Sequence, residues 1–242
     1  MAIYTGVADA NGDFNIPFSS NYTGGQKVTV TAEKDAATKS IELYAPSEAE
    51  SPAGILFSGS MVDYPQNIGV VNLSGIVGVI PSYAFYRNFD SAIGAWATGL
   101  IIGNEVTAIG EGAFYYWSNI KSLTIGTSVI SIGSDAFNSI SEVLEIKLPD
   151  SVQDIGYTSF YGASKCKKID IGSGILTIAA MAFQNLDTCE QLICRATTPP
   201  TIQSTTFQNL NASCVIKVPA SSVAAYKAKA NWKAFASRIQ AI

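Results

Sequence analysis

The sequence of 242 residues contains no histidine. This absence excludes Ser-His-Asp triads, Cys-His dyads, histidine-containing zinc sites and histidine general acids. Any enzymatic chemistry would have to rest on carboxylates, Lys, Tyr or Cys.

Charge is also scarce, since only 14% of the residues are charged and 15 basic residues stand against 19 acidic ones. A net charge of -4 argues against a surface for nucleic acid or anionic membranes, because both require concentrated positive charge. Hydrophobic residues make up 48% of the chain, which is enough to bury a sizeable core. The surface must then consist largely of Ser, Thr, Asn, Gln and Gly.

Long apolar segments are missing as well. The first basic residue is Lys27, and no apolar run of the kind found in a secretory signal follows it. The longest apolar run, Ile175 to Phe183, is interrupted by Thr177 and falls short of the roughly 20 residues that a membrane-spanning helix needs. We therefore expect a chain that stays in the compartment where it is made, unless the sequence has been trimmed.

A repeat of 23 residues is the strongest feature of the sequence. The pattern Ile-x-x-x-(Ala/Ser/Thr)-Phe occurs six times, and its copies end at Phe85, Phe114, Phe137, Phe160, Phe183 and Phe207. A second column keeps the same spacing and consists of Leu73, Ile102, Ile125, Leu148, Ile171, Cys194 and Val218. A third consists of Val106, Val129, Val152, Ile175 and Pro199. Two apolar residues flank one outward residue in segments such as Leu123–Ile125, which is the alternation of a β-strand.

A unit of this length lies in the range of leucine-rich repeats, roughly 20–29 residues, which combine a short strand with a tighter return segment. Residues 69–218 resemble the BspA-type leucine-rich repeat, whose unit has the form L-x-x-I-x-[IL]-x-x-x-[VI]-x-x-I-G-x-x-A-F. The resemblance implies an α+β, mainly β fold: a solenoid of about six 23-residue repeats, because a single unit cannot bury its own apolar face. Proteins with such repeats are usually exported surface proteins.

Residues 219–242 resemble the closing segment of the same family. The spacing of Tyr226, Trp232 and Phe235 predicts a helix that Ser221 or Ser222 would N-cap. A cap over the last exposed repeat is the expected role. The alternative is a binding face, because the segment has four basic and no acidic residues.

Residues 1–47 do not share the repeat. They predict four strands, Ala2–Val7, Asp13–Phe18, Lys27–Ala32 and Ser40–Tyr44, which are too few for a comfortable independent core. This segment, which we expect to serve attachment or oligomerisation, is followed by a linker at 48–68, the solenoid at 69–218 and the cap at 219–242.

The N-terminal segment resembles the opening segment of tail-fibre proteins of tailed phages in its stretches Tyr4–Phe14, Tyr22–Lys27 and Ile41–Pro46. More loosely, it resembles half of a bacterial immunoglobulin-like repeat. The tail-fibre resemblance implies a virion protein that is made in the host cytoplasm and assembles as a homotrimer. Its partners would be other virion tail or baseplate proteins at the N-terminal segment.

Candidate binding residues are aromatic. The first repeat spacing is 29 residues, and the insertion within Tyr86–Gly99 carries Phe89 and Trp96. Insertions in solenoids often form the binding face. The Tyr86, Tyr115 and Tyr161 column aligns with Asn138, Gln184 and Gln208, so we expect it to face solvent. The candidate receptor-binding residues are Tyr86, Phe89, Trp96, Tyr115, Tyr116 and Tyr161. Alternatively, these rings shield the edge of the core, where Trp117 is expected.

Reactive side chains favour no catalytic or metal site. Glu145 should face Lys168, and Lys147 should face Asp170, so neither acid gains the raised pKa that a glycosidase acid needs. Gly110-Glu111-Gly112 indicates a repeat corner and not a phosphate loop.

Cysteines are expected to be free thiols, because none has CxxC spacing. Cys166 and Cys189 share an apolar column, and Cys194 takes an inward position. Cys214 falls outside these columns and could be exposed.

The sequence therefore predicts a phage tail-fibre or receptor-binding protein that recognises a bacterial surface glycan or an outer-membrane protein. It would have no catalytic activity, cofactor, nucleic-acid partner or membrane insertion. A bacterial cell-surface adhesin of BspA type that binds host protein is the alternative, and a glycan-degrading enzyme is the second alternative.

Overall fold

The computed structural model describes residues 27–34, 37–44, 69–86 and 97–242. Lys27–Lys34 (β1) and Ala37–Tyr44 (β2) pair as an antiparallel hairpin with Lys27 opposite Tyr44. Two of the four predicted N-terminal strands fall in this hairpin. The other two lie outside the described residues.

Two series of parallel strands build the rest of the described chain, because each 23-residue unit contributes one strand to each series. The first series consists of β3 (Gly69–Leu73), β5 (Ala97–Ile102), β7 (Ser122–Thr124), β9 (Glu145–Leu148), β11 (Lys168–Ile171), β13 (Gln191–Cys194) and β15 (Val215–Val218). The second consists of β4 (Gly78–Ile80), β6 (Val106–Ile109), β8 (Ser131–Ile132), β10 (Asp154–Ile155), β12 (Thr177–Ile178) and β14 (Thr201–Ile202). The fold is the mainly β leucine-rich-repeat solenoid that the sequence predicts.

Strand register follows the sequence columns. Ile169 of β11 pairs with Ile146 of β9 on one side and with Leu192 of β13 on the other, and all three side chains are fully buried. Each inward residue therefore contacts its equivalents one repeat away. A continuous apolar core results, although no single repeat could enclose one.

The repeated phenylalanines form a ladder through this core. Consecutive rings from Phe85 to Phe207 stack in parallel, with centroids 5.2–5.7 Å apart. Offset stacking of this kind adds to the stabilisation from burial. Phe85 is half-buried at the N-terminal end, whereas the later rings are buried.

The glycine after the repeated isoleucine is required by close packing between repeats. A Cβ placed on Gly133 would lie 2.6 Å from the peptide nitrogen of Glu111, and one placed on Gly156 would lie 2.4 Å from that of Ser134. The backbones of successive repeats thus approach each other at this corner too closely for a side chain. Gly110-Glu111-Gly112 belongs to such a corner, as predicted.

The C-terminal cap is a series of short elements and not one helix. A 3-10 turn at Ala220–Ser222 leads into an α-helix at Val223–Ala228, which is followed by a 3-10 helix at Trp232–Arg238 and the strand β16 (Ile239–Ala241). Lys229 has an extended backbone (φ -67°, ψ 141°), which ends the α-helix, and Asn231 with a φ of 64° separates it from the 3-10 helix that follows.

Polar contacts of the cap satisfy the last repeat. Tyr226 donates its hydroxyl hydrogen to the carbonyl oxygen of Ala196 (2.9 Å), and the Trp232 indole N–H donates to that of Pro200 (2.9 Å). Ser222 occupies the N-cap position of the α-helix, as one of the two predicted residues, but its hydroxyl donates to the carbonyl oxygen of Thr197 (2.7 Å) and makes no capping hydrogen bond. β16 extends the sheet of β9, β11, β13 and β15 by pairing with β15.

Cysteine burial corrects one prediction. Cys166, Cys189 and Cys194 are buried free thiols, as expected. Cys214 is buried too, with its Sγ 3.9 Å from that of Cys189, so the suggested exposure is wrong. Cys214 follows Cys189 by 25 residues instead of 23, but it directly precedes β15, and this places it beside Cys189 in the core.

Candidate binding surface

Four tyrosines form a connected group at the N-terminal end of the described solenoid, which we call the tyrosine cluster: Tyr83, Tyr86, Tyr115 and Tyr116. Tyr86 and Tyr115 stack with centroids 5.5 Å apart and an interplanar angle of 20°. Tyr83 contacts Tyr86 edge-on at 5.9 Å, and Tyr116 contacts Tyr115 at 4.2 Å. The exposed fractions of Tyr83, Tyr86 and Tyr116 are 53%, 36% and 43%, which makes the cluster an aromatic surface.

The phenylalanine ladder sets the positions of this cluster. Phe85 and Phe114 stack inside the solenoid at 5.2 Å, and Tyr86 and Tyr115 follow them directly in the sequence. The repeat therefore stacks the two following rings as well. Tyr83 and Tyr116 have positive φ values of 58° and 65°. Bulky residues rarely adopt such angles, and these two rings are carried on strained turns.

Hydrogen bonding raises the pKa of two hydroxyl groups in the cluster, those of Tyr83 and Tyr115. The Tyr83 hydroxyl donates to the carboxylate of Glu111, and this bond raises the pKa of Tyr83. Interaction with the Tyr116 hydroxyl, together with partial burial, raises the pKa of Tyr115 to about 12. At neutral pH the cluster thus offers uncharged rings with polar hydroxyl edges, which is a combination common in binding sites.

The sequence predicts that the column of Tyr86, Tyr115 and Tyr161 faces solvent. Asn138 occupies the column between Tyr115 and Tyr161 but is only 7% exposed, because its side-chain amide donates to Asp135 Oδ1 (2.7 Å). The expectation that this whole column faces solvent is therefore wrong, and the described tyrosine stack ends at Tyr115. Tyr161 is half-buried two repeats from Tyr115.

The remaining aromatic predictions concern the insertion and the core. Phe89 and Trp96 lie outside the described residues. Trp117 is fully buried, as predicted, and its indole N–H donates to the carbonyl oxygen of Phe85 (2.7 Å). Tyr83 was not among the candidates, because its own column holds Gly112 in the next repeat and shows no aromatic pattern.

The acidic residues of the first strand series, which runs from β3 to β15 and which we call the long-strand sheet, are paired with basic ones. Lys168 Nζ lies 2.8 Å from Glu145 Oε1, as predicted. Asp170 is in register with Lys147, but its carboxylate accepts two hydrogen bonds of 2.7 Å from Arg195. The expected Lys147–Asp170 pair is therefore replaced, because the guanidinium offers two parallel donors where an ammonium offers a single charge.

Among residues 27–34, 37–44, 69–86 and 97–242, no helix is long and apolar enough to cross a membrane. The same described ranges hold no group of three or more His, Cys, Asp or Glu residues that could bind a metal ion.

Known proteins resemble the chain mainly through the repeat. Residues 107–225 match the family described as BspA type leucine rich repeat region, in six copies. No curated protein shows a significant match.

One solved structure shows the same kind of fold, and a second gives a weaker superposition. The crystal structure of the pneumococcal vaccine antigen PcpA superposes with a TM-score of 0.55 and 21% sequence identity, over 74% of this chain and 41% of that one. The leucine-rich repeat protein TpLRR of T. pallidum gives a TM-score of 0.39 and 17% identity, over 64% of this chain and 73% of that one. This chain thus spans about two fifths of the pneumococcal chain. The repeat columns, the stacked strands and the family match agree that residues 107–225 are similar to BspA-type leucine-rich repeat regions.

Proposed function

We propose that this protein is a non-catalytic binding protein that recognises a bacterial surface structure, a glycan or a protein, through the tyrosine cluster. The observation that carries this proposal is the group of exposed rings Tyr83, Tyr86 and Tyr116 around the Tyr86–Tyr115 stack. A soluble protein rarely exposes contiguous apolar rings unless they contact something. The repeat also needs no tyrosine here, because later copies of the same turn carry Asn138 and Gln184.

The chemistry of the cluster fits a glycan or a polar protein surface. A tyrosine ring can stack on the C–H face of a sugar or on a peptide side chain, while its hydroxyl group hydrogen-bonds to a neighbouring polar group. Stacked Tyr86 and Tyr115 present two such edges side by side, 5.5 Å apart. The positions of the cluster are fixed by the buried ladder beneath it, so little ordering cost is expected on binding.

The proposal extends to the setting in which the protein acts. We place it in the tail fibre of a phage virion, as a homotrimer attached through residues 1–47, and the support is the resemblance of those residues to tail-fibre opening segments. The second candidate is a bacterial surface adhesin, which the BspA-type region and the fold shared with a pneumococcal vaccine antigen favour. Mass spectrometry of purified phage particles and of the washed cell surface distinguishes the two settings. Light scattering of the full chain tests the trimer, and a monomer at micromolar concentration would count against it.

The absence of catalysis is part of the proposal. Both strand carboxylates that could form a glycosidase pair are bonded to basic side chains, Glu145 to Lys168 and Asp170 to Arg195. A carboxylate held by a cation is a poor general acid. Release of reducing sugar from purified host glycan by the full chain would contradict this part of the proposal.

The binding surface is tested by removing single rings. Tyr115→Ala should weaken adsorption to host cells by about 1–3 kcal/mol, the range measured when a stacking ring is removed in other recognition systems. Tyr116→Gly is a second variant with an added advantage: glycine adopts the φ of 65° without strain, so the ring is lost while the fold is retained.

Tyr157→Ala is the matched control. Tyr157 is 46% exposed on a later repeat, outside the cluster, and its hydroxyl contacts the sulfur of Met181. Adsorption should be unchanged in this variant. Equal losses in all three variants, or no loss in the two cluster variants, would refute the proposed surface.

A further inference from the structure

The long-strand sheet is open between β7 and β9. Backbone hydrogen bonds join corresponding residues of successive repeats just before the strands: Lys121 N to Thr98 O at 2.7 Å, Lys167 N to Leu144 O at 2.8 Å, and Glu190 N to Lys167 O at 2.9 Å. The corresponding bond from Leu144 N to Lys121 O is absent. β7 and β9 are also the only consecutive long strands of the described solenoid that are not paired.

This opening exposes part of the core. Leu123 is half-exposed, whereas its equivalents in the neighbouring repeats, Leu100 and Ile146, are completely buried. Leu144 is 57% exposed beside it. The sequence spacing is an unbroken 23 residues here, so the opening does not arise from an insertion.

The resulting groove has a volume of about 310 Å³ and is lined by Lys121, Ser122, Leu123, Leu144, Glu145 and Lys147. Water can bond to the peptide groups that lack a strand partner in this open groove, and a ligand with several hydroxyl groups can take the place of that water while it covers the partly exposed Leu123. A volume of this size lies at the lower end of the range of small-ligand sites, which begins at about 300 Å³.

The charge of the groove indicates which kind of ligand it can bind. Glu145 is paired with Lys168 at 2.8 Å, so its negative charge is compensated. Lys121 and Lys147 have no ion-pair partner among the residues that the structure describes. The groove therefore carries uncompensated positive charge beside an apolar surface, in a protein whose net charge is -4.

We propose that this groove binds an acidic saccharide unit. Its carboxylate would lie between the ammonium groups of Lys121 and Lys147, its apolar C–H face would pack on Leu123 and Leu144, and its hydroxyl groups would bond to the unpaired peptide groups of β7 and β9. A saccharide meets all three demands together, since it combines a charge, an apolar face and many hydroxyl donors and acceptors. This second site refines the proposed function by naming the class of glycan, but it does not include the tyrosine cluster.

The test uses the full chain and an oligomer of galacturonic acid as the probe, with calorimetry or fluorescence as the measurement. The wild type should bind the oligomer, and Lys121→Gln and Lys147→Gln should each weaken binding about tenfold, as expected for loss of a charge-assisted contact. Lys217→Gln is the matched control, because Lys217 lies in the same strand column as Lys147 but on β15, away from the groove. Binding should be unchanged in this variant.

Two further probes decide whether the site recognises a sugar. The carboxyl-reduced oligomer should not bind measurably, and a peptide of four glutamates should bind at least about tenfold more weakly than the acidic oligomer. Absence of binding by the wild type, equal binding of the peptide, or equal losses in Lys217→Gln and Lys147→Gln would overturn the proposal. Weaker oligomer binding by Lys147→Gln together with unchanged host-cell adsorption by Tyr115→Ala would support the groove and refute the tyrosine cluster, and the reverse pattern would refute the groove alone.

Discussion

Removing a ring from the middle of the phenylalanine ladder is the most direct test of the fold. Phe137 is fully buried and stacks against Phe114 at 5.4 Å and against Phe160 at 5.2 Å. Phe137→Ala would lose contacts on both faces of the ring and leave a cavity between two repeats that are tied to each other by strand pairing. The repeats cannot collapse around that cavity without breaking the register of β8 and β10.

The expected loss follows from these contacts. Truncation of a buried phenylalanine costs about 3–5 kcal/mol in free energy of unfolding. Each stacked ring pair contributes about 0.5–1.5 kcal/mol beyond burial, and two such pairs are lost. We therefore expect a value in the upper part of that range, which corresponds to a decrease in melting temperature of about 10–20 °C for a chain of this size.

The assay is urea unfolding followed by circular dichroism, with the slope of the transition recorded beside its midpoint. A lower midpoint with an unchanged slope means lost stability, whereas a changed slope would mean that the repeats no longer unfold as one unit. Tyr157→Ala serves as the control, because its ring is 46% exposed and should contribute less than about 1 kcal/mol. Similar midpoints for Phe137→Ala and Tyr157→Ala would refute the stacked core.

Three further predictions concern the corner, the ion pair and the thiols. Gly133→Ala should destabilise the protein by about 1–3 kcal/mol, because its Cβ would lie 2.6 Å from a backbone nitrogen. Gly75→Ala should not destabilise it, because a Cβ at that position meets nothing within 4 Å. The midpoints of urea unfolding compare the two variants. Arg195→Gln should lower the free energy of unfolding by about 1–3 kcal/mol near pH 7, because the buried Asp170 carboxylate loses both donors. An unchanged stability in thermal unfolding would contradict the stabilising role of this ion pair. The folded protein should react slowly with a thiol reagent at pH 8, because the four thiols are buried and burial raises the pKa of Cys166 to about 11. After unfolding, all four thiols should react at once. Rapid reaction of the folded protein would argue against a closed core.

The sequence predicted the solenoid well because the repeat determines it. A residue that recurs every 23 positions must have the same neighbours in every repeat, so the inward columns and the Glu145–Lys168 pair could be placed without coordinates. This logic holds wherever a position is determined by stacking alone. It also explains the phenylalanine ladder, since equal spacing in sequence gives equal spacing of rings.

Positions governed by local contacts could not be predicted in this way. Asn138 shares a column with tyrosines, yet Asp135 accepts its amide hydrogen bond and turns it inward. The extended backbone of Lys229 ends the α-helix, although the apolar spacing of Tyr226, Trp232 and Phe235 would allow it to continue. In both cases a bond or a backbone angle near the residue outweighs the pattern of the column or helix.

The opening between β7 and β9 shows a second limit of the sequence pattern. Leu123 and Ile146 have equivalent places in the repeat and nearly the same hydrophobicity, but only Leu123 is partly exposed. Periodicity reports which residues share a column and contains no information on the distance between two particular repeats. A site formed by a local widening of the stack is therefore invisible in the sequence, even when its lining residues are known.

The spacing of the phenylalanine rings in the core also sets the spacing of the rings in the tyrosine cluster. Phe114 and Tyr115 are adjacent in the chain and lie on opposite sides of the same turn, so the stacking distance of 5.2 Å between Phe85 and Phe114 inside is repeated as 5.5 Å between Tyr86 and Tyr115 outside. The turn keeps its positive φ in the next repeat, at Asp135 and Ser139 as at Gly112 and Tyr116, so the backbone does not prevent an aromatic ring at this position. The described tyrosine stack ends at the repeat in which Asn138 stands in place of a tyrosine. The number of stacked tyrosines therefore depends on the residues at this position, and it can change in evolution without disturbing the core. Extending the stack by Asn138→Tyr would cost the bond to Asp135 but keep the ladder, and this places the cluster at positions where binding can change while stability is largely retained.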